Sequence, residues 1–171
     1  MNLDIQLTEW SETLLDKLVE YANNPHIAAN MTDSFPHPFT EERGKAFIQY
    51  ARTSETSKIK AVLYKGALAG SIGLHLQNDI SRKNAELGYW LAEPFWGKGI
   101  MTEAVKSMTD WGFKHLDINR IFARPFGHNI ASQKVLEKAG YQLEAQIKEG
   151  FFKNGRFVDE LIYARRKSSI E

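Results

Sequence analysis

Residues 3–8, LDIQLT, alternate apolar and polar positions, the two-residue period of a half-buried strand. The period then changes. Leu14, Leu15, Leu18 and Tyr21 recur at helical spacing within residues 11–21, with Ser11 or Thr13 as the start signal. Residues 23–40 are irregular and carry three prolines, which predicts a surface loop with one short helical turn at 25–31. Thr40 opens a second helix, with Glu41 and Glu42 at its electropositive first turn. Three strands follow, at 59–65, 67–76 and 84–91. Lys65-Gly66 makes a tight turn between the first two, and the polar run 77–84 a longer one.

From residue 98 to 113, Ile100, Met101, Ala104, Val105, Met108 and Trp111 follow a 3.6-residue period, which predicts a helix. Residues 118–125 read as a strand. Residues 129–140 read as a helix capped by Asn129 and stopped by Gly140. Two last strands join through Asn154-Gly155. This order predicts an α+β domain: a mixed, mostly antiparallel twisted sheet with helices on both faces. The strand–helix–strand unit at 84–125 supplies one parallel pairing.

Length narrows this to one domain over residues 1–171, long enough to bury an ordinary core. The formal net charge of +1 argues against nucleic acid or a membrane surface as the partner. The basic tail near Arg165 and Arg166 reads as a solvated end. With no cysteine there are no disulfides, thiolate metal sites or cysteine nucleophile. The five histidines lack metal-ligand spacing, so no metal is expected. The N-terminus has no signal-peptide pattern, and no apolar run reaches bilayer length. A cytoplasmic protein, monomer or homodimer, is the expectation.

The segment EPFWGKGIMTEAV, residues 93–105, concentrates the candidate chemistry. Gly97 and Gly99 flank Lys98 at the mouth of the predicted helix. A helix start carries unpaired N–H groups and partial positive charge, and glycines let an anion approach the backbone. A Walker loop is excluded because no Ser or Thr follows the lysine, and a dinucleotide fingerprint because its third glycine is missing. The residues leave two readings open: glycines that only shape a turn, or a pyrophosphate-binding turn of another kind.

The stretch AELGYWLAEPFWGKGIMTEAV resembles the acetyl-CoA motif of the GNAT N-acetyltransferases, most closely the RimJ/RimL type that acetylates protein N-termini. Gly97 and Gly99 occupy its two small positions, and Pro94 departs from it at the first. HNIASQKVLEKAGY and KNGRFVDELIYA resemble later blocks of the same family. The resemblance implies acetyl-CoA as co-substrate and direct attack by a primary amine. It places the pyrophosphate on Trp96, Gly97, Lys98, Gly99, Ile100 and Met101, and the pantetheine arm along the backbone of Trp90, Leu91 and Ala92. Asn129 and Ser132 complete the cofactor set.

The resemblance also implies Glu86 as general base, directly or through water. Ser132 stands in for the tyrosine acid of many members, whose position is Leu136 here. Both residues have plainer readings, a solvated strand glutamate and an exposed helix serine. Phe35, His37 and Phe39 border the acceptor cleft by the same analogy, or else pack the loop down. At pH 7 roughly one in ten α-amines is neutral, against fewer than one in a thousand lysines. The resemblance implies a protein N-terminal α-amine, as on a ribosomal protein, as the first acceptor, and such an amine asks little of a base. A polyamine, amino acid or aminoglycoside is the alternative, and a silent acyl-CoA-binding module a third reading.

Overall fold

The computed structural model describes residues 3–168. Strand β1 (Ile5–Thr8) leads through a 3-10 turn into α1 (Leu15–Ala22), then α2 (Pro25–Ala28) and α3 (Glu41–Thr53). Helices α2 and α3 both start on a capping side chain. Asn24 caps α2 by accepting from His26 N, and Thr40 caps α3 by accepting from Arg43 N. The meander β2 (Ser57–Tyr64), β3 (Ala67–Leu76) and β4 (Asn84–Leu91) follows, then α4 (Ile100–His115), β5 (Arg120–Ala123) and α5 (Ile130–Lys138). The chain closes with the hairpin β6 (Gln142–Lys153) and β7 (Arg156–Arg166).

The seven strands form one sheet in the order β1-β2-β3-β4-β5-β7-β6. Every neighbouring pair is antiparallel except β4–β5. Both tight turns have the positive φ angles that type I′ demands, at Lys65-Gly66 and Asn154-Gly155. One face of the sheet is covered by α1–α3 around Trp10, Leu18, Ile48 and Trp90. The other is covered by α4 and α5 around Ile72, Leu74, Ile100, Met108 and Leu136. The architecture is the α+β one read from the sequence, with helices on both faces.

Several boundaries differ from the sequence reading by a few residues, and in α4, β5 and β6 the departure has a local reason. Helix α4 starts at Ile100 rather than 98 because Gly99 has φ +76°, outside the helical region. It runs on to His115, where Lys114 and His115 suit the negative end of the helix. Strand β5 keeps only four of eight expected residues, since Pro125 just beyond it has no N–H to donate. Strand β6 carries two register breaks, with Glu149 at φ +55° in the second. Among the described residues, no helix is long and apolar enough to cross a membrane.

Candidate active site

The site begins where two parallel strands part. The last β4–β5 rung pairs Glu86 with Phe122, yet β4 continues to Leu91. Strand β5 leaves because its extension is claimed by β7. Leu161 N donates to Pro125 O at 3.1 Å, and Phe126 bridges to Glu160. The divergence opens a cleft of about 720 Å³, walled by β4, the 96–102 turn, α5, residues 26–33 and the β6 segment 151–153.

Backbone alternation decides which β4 groups face this opening. Ala92 N donates to Ala69 O at 2.8 Å, so Ala92, Trp90 and Gly88 turn their peptide groups toward β3. On the opposite edge, Lys83 O accepts from Asn119 N. Leu87, Tyr89 and Leu91 share that phase; in the Glu86–Phe122 rung Leu87 N still donates to Phe122 O, so the groups turned to the cleft are Leu87 C=O, both peptide groups of Tyr89 and Leu91 N–H. The expectation that Trp90, Leu91 and Ala92 offer their backbone is therefore corrected. Of the three only Leu91 faces the opening, and its carbonyl accepts from Trp96 Nε1 at 2.7 Å. The Trp90 side chain still lines the cleft, whereas Ala92 is fully buried.

The 96–102 turn is built as a donor array. Trp96 N is used by Glu93 O, but among the described residues no protein acceptor meets the amides of 97–102. The first bond into the segment is Glu103 N to Gly99 O. Gly97 and Gly99 sit at φ +73° and +76°, a region that L side chains enter at a cost. Trp96, Gly97, Gly99, Ile100 and Met101 line the cleft. Lys98 does not; its Nζ lies over the Phe95 ring.

Helix α5 supplies the facing wall. Asn129 caps it, its Oδ1 accepting from Ser132 N at 3.2 Å. Ala131, Lys134, Val135 and Lys138 form one helical stripe on the cleft, and Ser132 lies beside it. Ser132 Oγ is 2.6 Å from the Tyr89 hydroxyl. Leu136 is fully buried, so no side chain reaches the cleft from that position.

At the apex, Arg124 joins two carboxylates. Its Nε donates to Glu86 Oε1 at 2.9 Å and its Nη1 to Glu160 Oε1 at 3.3 Å. Glu86 and Arg124 line the cleft; Glu160 stands behind and is buried. The other lining carboxylate, Asp33, is paired with Lys153 at 2.8 Å, a link from the early loop to the β6 tip. The wall between them is aromatic, from Phe126, Phe151 and Phe152.

The early loop contributes differently from the expectation. Phe39 is core, Phe35 packs between Phe39 and Trp90, and His37 does not line the cleft. The lining residues are instead His26, Ile27 and 30–33, one helical turn earlier in the chain. Sequence reading also passed over Tyr89, Arg124, Lys134 and Lys138. The lysines carried a usable signal, being four apart on the helix that Asn129 caps. Arg124 carried none, because only the pairing of β4 with β5 through Glu86 and Phe122 brings it to Glu86.

The family model described as an acetyltransferase (GNAT) domain matches residues 4–142. YdaF of Bacillus subtilis (strain 168), which carries a provisional ribosomal N-acetyltransferase name, is 36% identical over 110 residues. That match covers 64% of this chain and 60% of YdaF, so the chain spans under two thirds of that relative's length. A RimL ribosomal L7/L12 α-N-protein acetyltransferase solved with coenzyme A superimposes with a TM-score of 0.86 at 23% identity, covering 96% of this chain and 95% of its own. The spermidine N-acetyltransferase of Vibrio cholerae, solved with CoA and spermine, has a TM-score of 0.81 at 21% identity, with 95% of each chain covered.

Proposed function

Because the chain belongs to the acetyltransferase (GNAT) family, we propose that it transfers acetyl from acetyl-CoA to a primary amine, and that the amine is a polypeptide N-terminus. The observation that carries this reading is the parting of β4 and β5 at Glu86. It leaves free amides at 97–102 at one end of a cleft and a carboxylate at the other.

The residues present fit acetyl-CoA. The free amides and the start of the 16-residue α4 suit a diphosphate, with Lys134 and Lys138 adding positive charge opposite. The Leu87 carbonyl and both peptide groups of Tyr89, unpaired among the described residues, suit an amide-rich arm. The bound co-substrate supplies a thioester; everything else is done by the protein. Glu86 takes the ammonium proton, directly or through one water, and Arg124 fixes the carboxylate's direction. Ser132, at the α5 wall, offers a hydroxyl to the leaving sulfur. A serine hydroxyl is far less acidic than a thiol, whose ordinary pKa is about 8.5. Ser132 thus stabilises a thiolate by hydrogen bonding rather than by giving up its proton.

The acceptor class follows from two considerations. Neutralising an α-amine at pH 7 costs about 1 kcal/mol, against nearly 5 for a lysine. A single carboxylate held by an arginine is adequate only for the first. Both carboxylates lining the cleft are ion-paired, so the acceptor end lacks the free acidic lining that a polycation requires. The names of YdaF and the RimL structure point the same way. The test is thiol release from acetyl-CoA with a peptide bearing a free N-terminus, an Nα-blocked lysine peptide, spermidine, an amino acid and an aminoglycoside. The free-N-terminus peptide is expected to give the highest kcat/KM. Faster turnover of spermidine or an aminoglycoside would overturn the acceptor assignment.

A further inference from the structure

We infer that Tyr89 is a positioning residue for Ser132: its phenol O–H, reaching from β4 to the first turn of α5, orients the serine hydroxyl toward the sulfur of the thioester. The inference rests on the function proposed above, in which Ser132 faces that sulfur.

The geometry is specific. Tyr89 on β4 and Ser132 on α5 are 43 residues apart in sequence, both line the cleft, and their hydroxyl oxygens are 2.6 Å apart. Among the described residues, Tyr89 is the hydrogen-bond partner found for Ser132 Oγ. Two hydroxyls in contact share one hydrogen bond, so one of them keeps a proton to direct elsewhere. The phenol is the stronger acid and the alkyl oxygen the stronger base, so Tyr89 donates and Ser132 accepts. The serine proton is then left to point away from Tyr89, into the cleft that both residues line.

Burial supports this direction. It holds the Tyr89 phenol far above its ordinary pKa, outweighing the hydrogen bond to Ser132, so the donor stays protonated wherever the enzyme works. A second, longer contact from the Tyr89 hydroxyl to Ser132 O, at 3.4 Å, keeps the phenol over the first turn of α5. Polarisation along Tyr89–Ser132–sulfur strengthens the outer bond as negative charge grows on the sulfur. No proton is transferred along this chain. The amine, its first proton already passed through Glu86 to solvent, forms a carbon–nitrogen bond with the thioester carbonyl carbon. The carbon–sulfur bond breaks, the sulfur leaves as a thiolate solvated by Ser132, and the nitrogen's second proton leaves by way of Glu86.

A purely structural tether between β4 and α5 would hold the same atoms together, and experiment separates the two roles. Tyr89→Phe keeps the ring and removes the donor. The expected result is a fall of about tenfold in kcat with KM for acetyl-CoA within twofold. Ser132→Ala lowers kcat by a similar factor, and the double variant is no slower than Ser132→Ala alone. A readout independent of turnover is calorimetric binding of coenzyme A at pH 7 and pH 9. Affinity in the parent rises with pH as the thiolate forms, and that rise is reduced in both single variants. Additive losses in kcat, a raised KM with kcat intact, or an unchanged pH-dependent affinity in Tyr89→Phe would each overturn the inference. If Ser132→Ala itself turned over normally, the Ser132 role would fall instead, and the positioning of it with it.

Discussion

Arg124 Nε donates to Glu86 Oε1 at 2.9 Å just past the last rung joining β4 to β5. The rung is Glu86 to Phe122, so Arg124 lies two residues beyond the rung and one past the end of β5, on the same face as the glutamate. Glu160 holds the arginine from behind. One guanidinium between two carboxylates leaves a single net negative charge at the cleft apex, aimed where an ammonium would arrive.

Glu86→Gln is expected to lower kcat/KM at neutral pH by on the order of 10- to 100-fold while leaving acetyl-CoA affinity within twofold. The loss shrinks toward pH 9, where the acceptor α-amine is already neutral. Initial rates from pH 6 to 9 check this; a loss that stays constant across that range contradicts the base assignment.

Gly99 has open space around it, with Leu3 Cδ1 at 3.7 Å the sole near neighbour of an added Cβ, so its φ of +76° is the constraint. Gly99→Val forces a β-branched residue into the left-handed region, at a cost of about 1–3 kcal/mol. The turn relaxes and the amides lose their common direction. Coenzyme A affinity is expected to fall at least tenfold by calorimetry, with the circular dichroism spectrum unchanged.

Lys134 and Lys138 both line the cleft on one stripe of α5. Replacing both with Ala is expected to raise KM for acetyl-CoA by about tenfold and to flatten its dependence on salt. A short acetyl thioester lacking the nucleotide should be used as well by the variant as by the parent. Equal losses on both substrates would remove the lysines from the phosphate end.

His75 is half-buried opposite Glu86 in the β3–β4 ladder, with Nδ1 on Ser57 Oγ at 2.8 Å, and Tyr50 hydroxyl at 2.8 Å beyond it. Burial lowers its pKa, and Glu86 only partly opposes this. The unfolded chain therefore binds a proton at a higher pH than the folded one. Stability is full above about pH 6.5, falls as pH drops toward the folded-state pKa, and levels off below it. Chemical denaturation from pH 7.5 to 5 should show that fall, and His75→Gln should lose this part of it.

Much of the fold was legible because its signals are local. The stripe Ile100, Met101, Ala104, Val105 and Met108 is buried as its period required. Asn154-Gly155 turns the last hairpin because both residues accept positive φ. The site was legible only in part. Gly97 and Gly99 announce a turn by composition, and the free amides are a consequence of that turn. The direction of the β4 peptide groups depends on strand register, which fixes Ala92 toward β3 and Tyr89 toward the cleft. The Glu86–Arg124 and Tyr89–Ser132 contacts join residues 38 and 43 apart in sequence. No local pattern encodes them, since each exists only once β4, β5 and α5 are assembled.

The central claim is that unpaired main-chain amides at 97–102 grip the diphosphate while the open edge of β4 holds the arm. Amide hydrogen exchange with and without saturating coenzyme A measures this directly. The account predicts slowed exchange at 97–102 and at Tyr89 and Leu91, with β1 and β2 unaffected. Saturable binding that leaves 97–102 exchanging at its free rate would contradict it.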